Sequence, residues 1–219
     1  MTKITRRALN KRFAILLGGL SIFRSSSAQP NVLTPPQTEG PFYPPLPLAE
    51  TDVDLTKLEG HSESANGDVI LVRGRVTDGD GNPLKGARVD IWQANRAGRY
   101  SHPEDPNPAP LDPNFQGIGI AYTDVEGWYG FKTIIPGPYP LKFLVAGNNS
   151  WRAKHIHFKV AHPDKQELTT QMYFAGDPLL ATDDEFLSAP KSDRDVLVTV
   201  GKPDEETELL LHRFDIALA

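Results

Sequence analysis

Residues 69–94 have the sequence "VILVRGRVTDGDGNPLKGARVDIWQA", in which apolar and polar side chains alternate. Ile70, Val72 and Val76 fall on one side of an extended chain, and a second alternating run at residues 87–92 follows the turn "DGDGNP". A period of two residues is typical of a half-buried β-strand, and a Gly-rich turn between two such runs is typical of a hairpin. We therefore predict that this stretch forms the two antiparallel strands of one hairpin.

Strand-like sequence continues along the rest of the chain. The further runs are "GWYGFKTI" (127–134), "YPLKFLVA" (139–146), "KHIHFKVA" (154–161), "DVLVTV" (195–200) and "TELLLHRFDI" (207–216). Only "TDDEFLSA", residues 182–189, has a helical pattern, with Thr182 as the expected N-cap and acids in the first turn. Many short strands separated by turns predict an all-β fold, an antiparallel β-sandwich core with long loops and little helix.

The sequence divides into three parts. Residues 1–28 have the pattern of a signal peptide, residues 29–67 form a Pro-rich segment without apolar periodicity, and residues 68–219 contain the strand-like runs. We interpret the middle part as an extended N-terminal arm packed along a single β-sandwich domain. Residues 101–117 form a loop with five prolines, and a loop of this length in a compact domain predicts an ordered segment beside a functional site.

The first 28 residues carry six basic side chains and no acidic one, and they include the apolar stretch "FAILLGGLSIF" at residues 13–23. Small residues at 26–28 complete the pattern of a cleavable signal, which is too short for a membrane anchor. Its basic part, "TRRALNK", resembles a twin-arginine signal through Arg6 and Arg7. The sequence thus predicts export to the periplasm or the cell exterior by the twin-arginine route, with no membrane span left after signal removal.

Charge and composition exclude several functions. The chain has a formal net charge of −5, and removal of the six basic residues of the signal peptide takes this charge to −11. Such an excess of acid argues against nucleic acid as a partner. The 219 residues include no cysteine, which rules out disulfides, thiolate metal ligands and a cysteine nucleophile.

Two histidines lie one residue apart in "WRAKHIHFKV", residues 151–160. On a strand, His155 and His157 would point to one face, and the apolar Ile156 and Phe158 would point to the other. A solvated face that carries His and Lys for solubility is one interpretation. A pair of ligands aimed at one point is the other, and the motif alone leaves both open.

Two tyrosines are further candidates. Tyr100 lies at the start of the long loop, and Tyr139 lies between Pro138 and Pro140. The prolines fix the backbone around Tyr139, and such rigidity suits a ligand that must point one way. The alternative for each is an ordinary tyrosine at the end of a strand, with one apolar end and one end in water.

Several motifs, taken in order, resemble those of a known family. They are "TEGPFY" (38–43), "GRY" (98–100), "LDPNF" (111–115), "TIIPGPYP" (133–140), "WRAKHIHF" (151–158) and "QMYFAGDP" (171–178). Together they resemble the intradiol ring-cleavage dioxygenases, and within that family the iron-bearing β chains of protocatechuate 3,4-dioxygenases. The resemblance extends from residue 38 to about residue 178, which is most of the chain after the signal peptide.

The resemblance implies a cofactor and a reaction. In the family, one non-haem ferric ion, Fe(III), is held in each chain by two tyrosinates and two histidines, and the matching residues are Tyr100, Tyr139, His155 and His157. Phenolate is a hard anionic ligand that favours Fe(III), and imidazole also binds iron. The implied reaction is cleavage of a catechol-type diol by O2 between its two hydroxylated carbons, giving a cis,cis-muconate-type diacid. Tyr139 is also expected to accept a proton from the substrate.

The family pattern implies further roles by position. Arg152 matches the arginine that stabilises charge on the substrate, so Tyr139 and Arg152 are the expected catalytic residues. Gln171 and Tyr173 are expected to orient a ligand through a hydrogen bond. Leu141 stands where the protocatechuate enzymes usually have tryptophan, which leaves the shape of the pocket open. The expected substrate-binding residues are Thr38, Gly40, Phe42, Leu141 and Gln171.

Two other classes fit parts of the sequence. Residues 69–94 also resemble the start of transthyretin-like β-sandwich modules, which bind without catalysis, but such modules do not explain four candidate ligands in motif order. A cupin-type metal site also uses His-x-His on a strand, but no glutamate follows His157 at a comparable spacing. The expected partners are therefore a small aromatic diol and O2, with protocatechuate only modestly preferred. A homo-oligomer and a second, non-identical chain both stay open.

Overall fold

The computed structural model of the protein describes residues 32–45 and 50–219, so the predicted signal peptide lies outside the described residues. This part of the chain contains twelve β-strands, one short α-helix and three 3-10 turns. None of its helices is long and apolar enough to cross a membrane. The strands are β1 (Val69–Asp78), β2 (Arg88–Trp92), β3 (Ile118–Tyr122), β4 (Trp128–Ile134), β5 (Tyr139–Pro140), β6 (Trp151–Arg152), β7 (His155–Ala161), β8 (Leu168–Phe174), β9 (Val198–Thr199), β10 (Lys202–Pro203), β11 (Leu210–Arg213) and β12 (Ile216–Leu218). The helix α1 is Asp184–Ser188, and the 3-10 turns are Leu141–Phe143, Pro178–Ala181 and Arg194–Leu197.

The strands of the described residues pair into two five-stranded sheets and one two-stranded ribbon. The first sheet has the order β10-β11-β1-β12 with β4 on β1, the second has the order β3-β2-β7-β8-β9, and β5 pairs with β6. The predicted all-β sandwich is confirmed. The sheets are mixed rather than antiparallel throughout, because β1 pairs in parallel with β11 and β12, and β8 pairs in parallel with β9.

The first two strands do not form the predicted hairpin, because β1 lies in the first sheet and β2 lies in the second. The turn between them is tight: the amide of Asp78 donates to the carbonyl of Asn82 (2.9 Å), and the amide of Leu84 donates to that of Val76 (3.0 Å). The chain then crosses to the other sheet, since β4 and β11 already occupy the two edges of β1. Alternation predicted both strands but not the sheet to which each belongs.

The core lies between the two sheets. On β7, Phe158 is fully buried, and its ring packs against Tyr129 and Phe214 with centroids 6.0 and 4.8 Å away. Full burial of such a side chain contributes roughly 1.5–3 kcal/mol to stability. The alternate residues of β7, His155 and His157, therefore point away from this core, as the period of two predicts.

Two runs predicted as strands are mostly turns. In residues 139–146 only Tyr139–Pro140 is extended, and the 3-10 turn Leu141–Phe143 follows. In the run "DVLVTV" the strand is limited to Val198–Thr199, after the 3-10 turn Arg194–Leu197. Short apolar runs suit a strand or a packed turn equally well, so their sequence does not separate the two.

Helix α1 begins one residue later than predicted. Its N-cap is Asp183 rather than Thr182, because the Asp183 carboxylate accepts hydrogen bonds from the amides of Glu185 (3.0 Å) and Phe186 (3.1 Å). Aspartate is among the preferred N-caps for this reason. The consequence is that a carboxylate is fixed in the interior at the start of a short helix.

The Pro-rich segment is tied to several strands by backbone hydrogen bonds. The amide of Thr34 donates to the carbonyl of Ala217 (3.1 Å), and the amide of Gln37 donates to that of Thr169 (2.9 Å). Farther along, the amide of Leu55 donates to a carbonyl of β4 (2.8 Å). These bonds hold the described residues of the segment against the strands of the domain.

Candidate active site

The structure brings together the four residues that the sequence suggests as metal ligands. Tyr100 lies in the loop after β2, Tyr139 begins β5, and His155 and His157 lie on β7. All four side chains are buried. Three separate parts of the chain therefore contribute polar side chains to one buried place.

Three donor atoms of this group form a triangle. Oη of Tyr100 lies 3.0 Å from Nε2 of His157 and 3.3 Å from Nε2 of His155, and the two nitrogens are 3.2 Å apart. Atoms that bind one metal ion at about 2 Å lie about 3 Å from one another, so this spacing suits adjacent ligands of a single ion. Among the described residues, no three His, Asp or Glu side chains gather in a metal-binding cluster, so tyrosine is needed to complete a ligand set.

Tyr139 lies beside the triangle. Its ring centroid is 5.7 Å from that of Tyr100 and 5.6 Å from that of His155. Two loops approach closely to allow this contact, because a Cβ on Gly98 would lie 2.3 Å from the carbonyl oxygen of Pro138. Gly98 also has a φ of +78°, so both space and backbone conformation require glycine at this position.

Burial controls the ionisation of these four groups. Burial lowers the pKa of His155 and of His157 well below the usual value, and the charge of nearby Arg152 lowers both further. Burial likewise raises the pKa of Tyr100 and of Tyr139. Neutral imidazole is the form that binds a metal, and a buried phenol loses its proton readily only beside a strong positive charge. The residues therefore fit a highly charged cation.

Each histidine is held in one orientation. Nδ1–H of His155 donates to the carbonyl oxygen of Ala153 (2.6 Å), which leaves the lone pair on Nε2. The ring of His157 stacks on the fully buried Trp92, which lies opposite it in the β2–β7 pairing. Both imidazoles are therefore fixed by neighbours that are not themselves candidate ligands.

Arg152, on β6, belongs to a buried network. Its Nε–H donates to the Asp183 carboxylate, 3.1 Å from both oxygens, and its Nη2 donates to Oε1 of Gln171 (2.5 Å) and lies 3.4 Å from Oη of Tyr173. Gln171 in turn accepts from the Tyr173 hydroxyl (3.0 Å) and donates to the carbonyl of Thr38 (3.0 Å). The side chain of Thr38 is exposed, so its link to the network is through the backbone. Burial acts to lower the pKa of Arg152, but nearby tyrosine and aspartate groups raise it above the usual value, so the guanidinium stays charged.

Residues of the arm and of the 3-10 turn after β5 cover the site. A Cβ on Gly40 would lie 3.6 Å from Cε1 of His157, so the arm backbone passes close to that ring. Phe42 packs on Tyr100 with ring centroids 4.8 Å apart. Leu141 is half-buried and packs against the same cluster of aromatic side chains. These three residues, which the sequence predicts to bind substrate, thus adjoin the candidate ligands.

A cavity of about 320 Å³ lies between the arm and the long loop at residues 101–117. Phe42, Trp92 and Tyr100 form part of its wall, but the other three candidate ligands do not line it. The Asp105 carboxylate accepts a hydrogen bond from the amide of Tyr100 (2.7 Å), which fixes the start of the loop beside the site.

The sequence did not identify two residues of the site. Trp92 is the last residue of β2, where its contact with a β7 histidine depends on the pairing of two distant segments. Asp183 appears in the sequence as one of several acids at a helix start, but it is fully buried against Arg152. Its position as the residue just before α1, where a capping aspartate is favoured, was the available signal.

For the four histidines outside the motifs, the sequence predicts positions at the surface or in loops, since no motif supports them as ligands. This prediction is wrong for His212 on β11, which is buried and whose Nδ1 lies 2.9 Å from Oγ1 of Thr199. The apolar residues around it in "ELLLHRF" predict a strand, but they do not show that the histidine faces inward. The others, which are exposed or half-buried, are His61, His102 and His162.

Comparison with known proteins places this geometry in a family. Residues 38–219 match the family model described as Dioxygenase. The chain is 46% identical over 183 residues to the protocatechuate 3,4-dioxygenase beta chain of Burkholderia cepacia, covering 81% of this chain and 76% of that one. It is 35% identical over 163 residues to the catechol 1,2-dioxygenase of Candida albicans, covering 68% of this chain but only 51% of that longer protein.

Solved structures agree with these matches. The chain is similar to 3-chlorocatechol 1,2-dioxygenase from Rhodococcus opacus 1CP, with a TM-score of 0.66 and 27% identity, covering 84% of this chain and 71% of that one. It is also similar to the dioxygenase domain of a dioxygenase carbohydrate-binding protein fusion from Streptomyces sp. SirexAA-E, with a TM-score of 0.60 and 28% identity, covering 85% and 98%. These matches favour the dioxygenase interpretation over the transthyretin-like and cupin-type alternatives. The chain belongs to the family of intradiol ring-cleavage dioxygenases and is an enzyme of the oxidoreductase class.

Proposed function

We propose that this enzyme uses one non-haem ferric ion per chain to cleave catechol-type diols with O2 between the two hydroxylated carbons. The observation that carries the proposal is the buried triangle of Tyr100, His155 and His157, whose donor atoms are 3.0–3.3 Å apart. The ring of Tyr139 lies beside it, with its centroid 5.7 Å from that of Tyr100 and 5.6 Å from that of His155. Two phenols and two neutral imidazoles form a hard, electron-donating ligand set that suits Fe(III). The expected product is a cis,cis-muconate-type diacid.

The residues around the metal position have separate roles in this proposal. When bound, the ferric ion would supply a Lewis acid that holds a catecholate and makes the ring reactive toward O2. Tyr139 lies at the edge of the triangle, and its phenolate oxygen would accept a proton from a substrate hydroxyl. Among the described residues, hydrogen bonds engage Nε and Nη2 of Arg152, and Nη1 would stabilise negative charge on the substrate. Gly40 and Phe42 lie against His157 and Tyr100, where they would help to keep water from the reacting groups.

The same contacts support a broad preference among catechols. The buried charge of Arg152 is balanced by Asp183, so a carboxylated ring gains limited electrostatic attraction at this place. Leu141 is smaller than tryptophan and leaves room for less polar or bulkier rings. We therefore expect catechol-type diols in general to be substrates, with protocatechuate only modestly preferred.

Product analysis tests the proposed reaction. Protein purified with iron is expected to show a visible tyrosinate-to-iron band and to consume O2 with catechol, protocatechuate, hydroxyquinol and alkylcatechols. The product should be a diacid opened between the two hydroxylated carbons. A colourless protein that neither ferric nor ferrous iron can reconstitute under air would contradict the metal site. A semialdehyde product, from cleavage beside the diol, would contradict the intradiol reaction.

We also propose that the enzyme is exported to the periplasm or the cell exterior. The support is the sequence of residues 1–28, which lie outside the described residues and combine six basic side chains, an apolar stretch and small residues at 26–28. The pair Arg6 and Arg7 favours the twin-arginine route, which carries folded proteins. A protein without disulfides but with a bound metal suits such a route.

A further inference from the structure

We propose that Asp183 is a positioning residue, which holds both Arg152 and the backbone next to the first candidate histidine ligand in the geometry that the reaction needs. This inference deepens the proposed function and rests on it. Asp183 would touch neither substrate nor metal. It would act through the two groups that it holds.

Both carboxylate oxygens of Asp183 accept hydrogen bonds from groups of the protein. Its side chain is fully buried, and its two carboxylate oxygens accept hydrogen bonds from four groups. Two are the amides of Glu185 and Phe186, which begin α1. The others are Nε–H of Arg152 and, at 2.7 Å, the amide of Ala153. The first amides of α1 therefore fix the Asp183 carboxylate, and the carboxylate in turn fixes Arg152 and Ala153.

The first consequence concerns the orientation of Arg152. Its guanidinium is held on one side by Asp183 and on another by Gln171 and Tyr173, so the plane of the group is fixed. A buried guanidinium that loses its carboxylate keeps its charge and must find another partner. The nearest anionic candidates would then include the tyrosines of the metal site. Removing the Asp183 charge should thus turn Arg152 away from the substrate.

The second consequence concerns His155. The backbone of Ala153 donates its amide to Asp183 (2.7 Å) and accepts Nδ1–H of His155 on its carbonyl (2.6 Å). Ala153 therefore links the Asp183 carboxylate to the imidazole of His155 through two hydrogen bonds. Asp183 is connected in this way both to the arginine and to a candidate metal ligand.

The first turn of α1 also holds the arm. Oε1 of Glu185 accepts from the amide of Thr38 (3.0 Å), and the carbonyl of Glu185 accepts from the side-chain amide of Gln37 (2.7 Å). The arm then continues to Gly40 and the ring of His157. A short helix with few buried residues of its own thus anchors three groups around the site, with Asp183 as its N-cap.

The chain offers a matched control in Asp177. This residue also caps a short helix, through the amide of Leu179 (3.0 Å), and also accepts a backbone amide near the histidines, that of Lys154 (2.9 Å). Among the described residues, no hydrogen bond or ion pair joins it to Arg152. Asp177→Asn therefore removes a capping carboxylate and its backbone bond but leaves the arginine in place.

The kinetic test compares Asp183→Asn with Asp177→Asn in the iron-loaded enzyme. We expect Asp183→Asn to lower kcat about 30- to 100-fold with a smaller change in KM, since small displacements of an orienting group cost rates of this order. Asp177→Asn should stay within about threefold of the wild type. In a protein that already carries Arg152→Lys, Asp183→Asn should lower kcat by a much smaller factor than it does alone, because the partner of Asp183 is already altered.

A second measurement does not depend on activity. In the iron-free protein, NMR should show slow exchange of the Arg152 Nε–H and of the Ala153 amide in the wild type and in Asp177→Asn, and fast exchange of both in Asp183→Asn. If Asp183→Asn does not fold, the double variant Arg152→Gln with Asp183→Asn removes both charges and still reports on the Ala153 amide.

Two results would overturn the assignment. One is a kcat of Asp183→Asn within about threefold of the wild type. The other is an equal factor of kcat loss from Asp183→Asn in the presence and in the absence of Arg152→Lys. Unchanged protection of the Ala153 amide, in the single variant or in the double one, would overturn the link to His155. Failure of the proposed function is distinguishable, because the wild type itself would then give no intradiol product.

Discussion

His157 and Trp92 lie opposite each other in the β2–β7 pairing, and their rings stack 9° from parallel with centroids 4.7 Å apart. Both side chains are buried, and the indole is fully so. The imidazole therefore has an aromatic wall on one face, which restricts its rotation. A candidate metal ligand is in this way held by the last residue of a neighbouring strand.

Replacement of Trp92 by Ala should destabilise the protein and weaken iron retention. Loss of a buried tryptophan typically lowers the free energy of unfolding by about 4 kcal/mol. Iron should also pass to a chelator faster, because His157 loses the wall that orients it. Trp92→Phe keeps an aromatic face and should retain iron nearly as well as the wild type.

Denaturant unfolding and the rate of iron transfer to a chelator measure these effects. Trp128→Ala is the control, since Trp128 is a half-buried tryptophan of the other sheet, flanked by the guanidinium groups of Arg73 and Arg213. It should leave the rate of iron loss unchanged. Equal rates for Trp92→Ala and the wild type would show that the stacking does not support the ligand.

Tyr139→Phe should weaken or shift the visible band of the iron-loaded protein and lower kcat about 100-fold, because it removes a ligand and a proton acceptor together. Tyr129→Phe provides the matched control. Tyr129 is also a buried tyrosine, but its hydroxyl donates to the carbonyl of Phe214 (2.5 Å) in the core. That change should cost about 1 kcal/mol of stability and leave the band in place. A band that is identical in Tyr139→Phe and the wild type would exclude Tyr139 as a ligand.

His212 should make the stability of the iron-free protein fall at acid pH. Burial lowers the pKa of His212 in the folded state, and in the unfolded chain this pKa is about 6.5. Above both values the ring is neutral in both states and stability is complete. As the pH falls below about 6.5, the unfolded state binds a proton that the folded state excludes, so the free energy of unfolding decreases until the folded pKa is passed.

His212→Gln should remove this contribution. Urea unfolding at pH 8 and pH 5 should show that the wild type loses more stability than the variant between the two values. The free energy of unfolding of the wild type should therefore exceed that of the variant by less at pH 5 than at pH 8. The same loss in both proteins would mean that His212 does not contribute to the pH dependence of stability.

Replacement of Arg6 and Arg7 by Lys should block export and leave precursor in the cytoplasm, because the charge is kept but the arginine pair is lost. Arg12→Lys makes the same chemical change outside the pair and should not affect export. Cell fractionation with immunoblotting measures the distribution. Normal export of the double variant would indicate the general secretory route.

The sequence predicted what depends on neighbours along the chain. The alternation on β7 showed that Phe158 would be buried and that His155 and His157 would share the opposite face, because successive side chains of any strand diverge. The motifs around Tyr100 and Tyr139 singled out the tyrosines of the site. The sequence did not predict the distances between these tyrosines and the histidines, because those distances depend on how β2, β5 and β7 pack together.

The remaining differences depend on contacts between distant segments. The turn after β1 looks like a hairpin turn, yet β2 joins the other sheet because strands far along the chain occupy both edges of β1. Asp183 and Asp184 are adjacent acids with the same local sequence, and only packing makes the first fully buried and the second exposed. Local patterns therefore predict elements and faces, whereas pairing and burial of single polar groups require the whole chain.

The parallel pairing of β1 with β11 and β12 determines when the first sheet can finish folding. Ile70 pairs with Leu210 and Val76 with Ile216, so one edge of β1 is closed by residues near the far end of the sequence. A chain still emerging from the ribosome can pair β1 with β4, but its other edge stays open until residues 210–218 have been made. Folds dominated by contacts between distant residues form slowly, on the order of milliseconds to seconds. The first sheet is thus completed only when residues 210–218 are available to pair with β1.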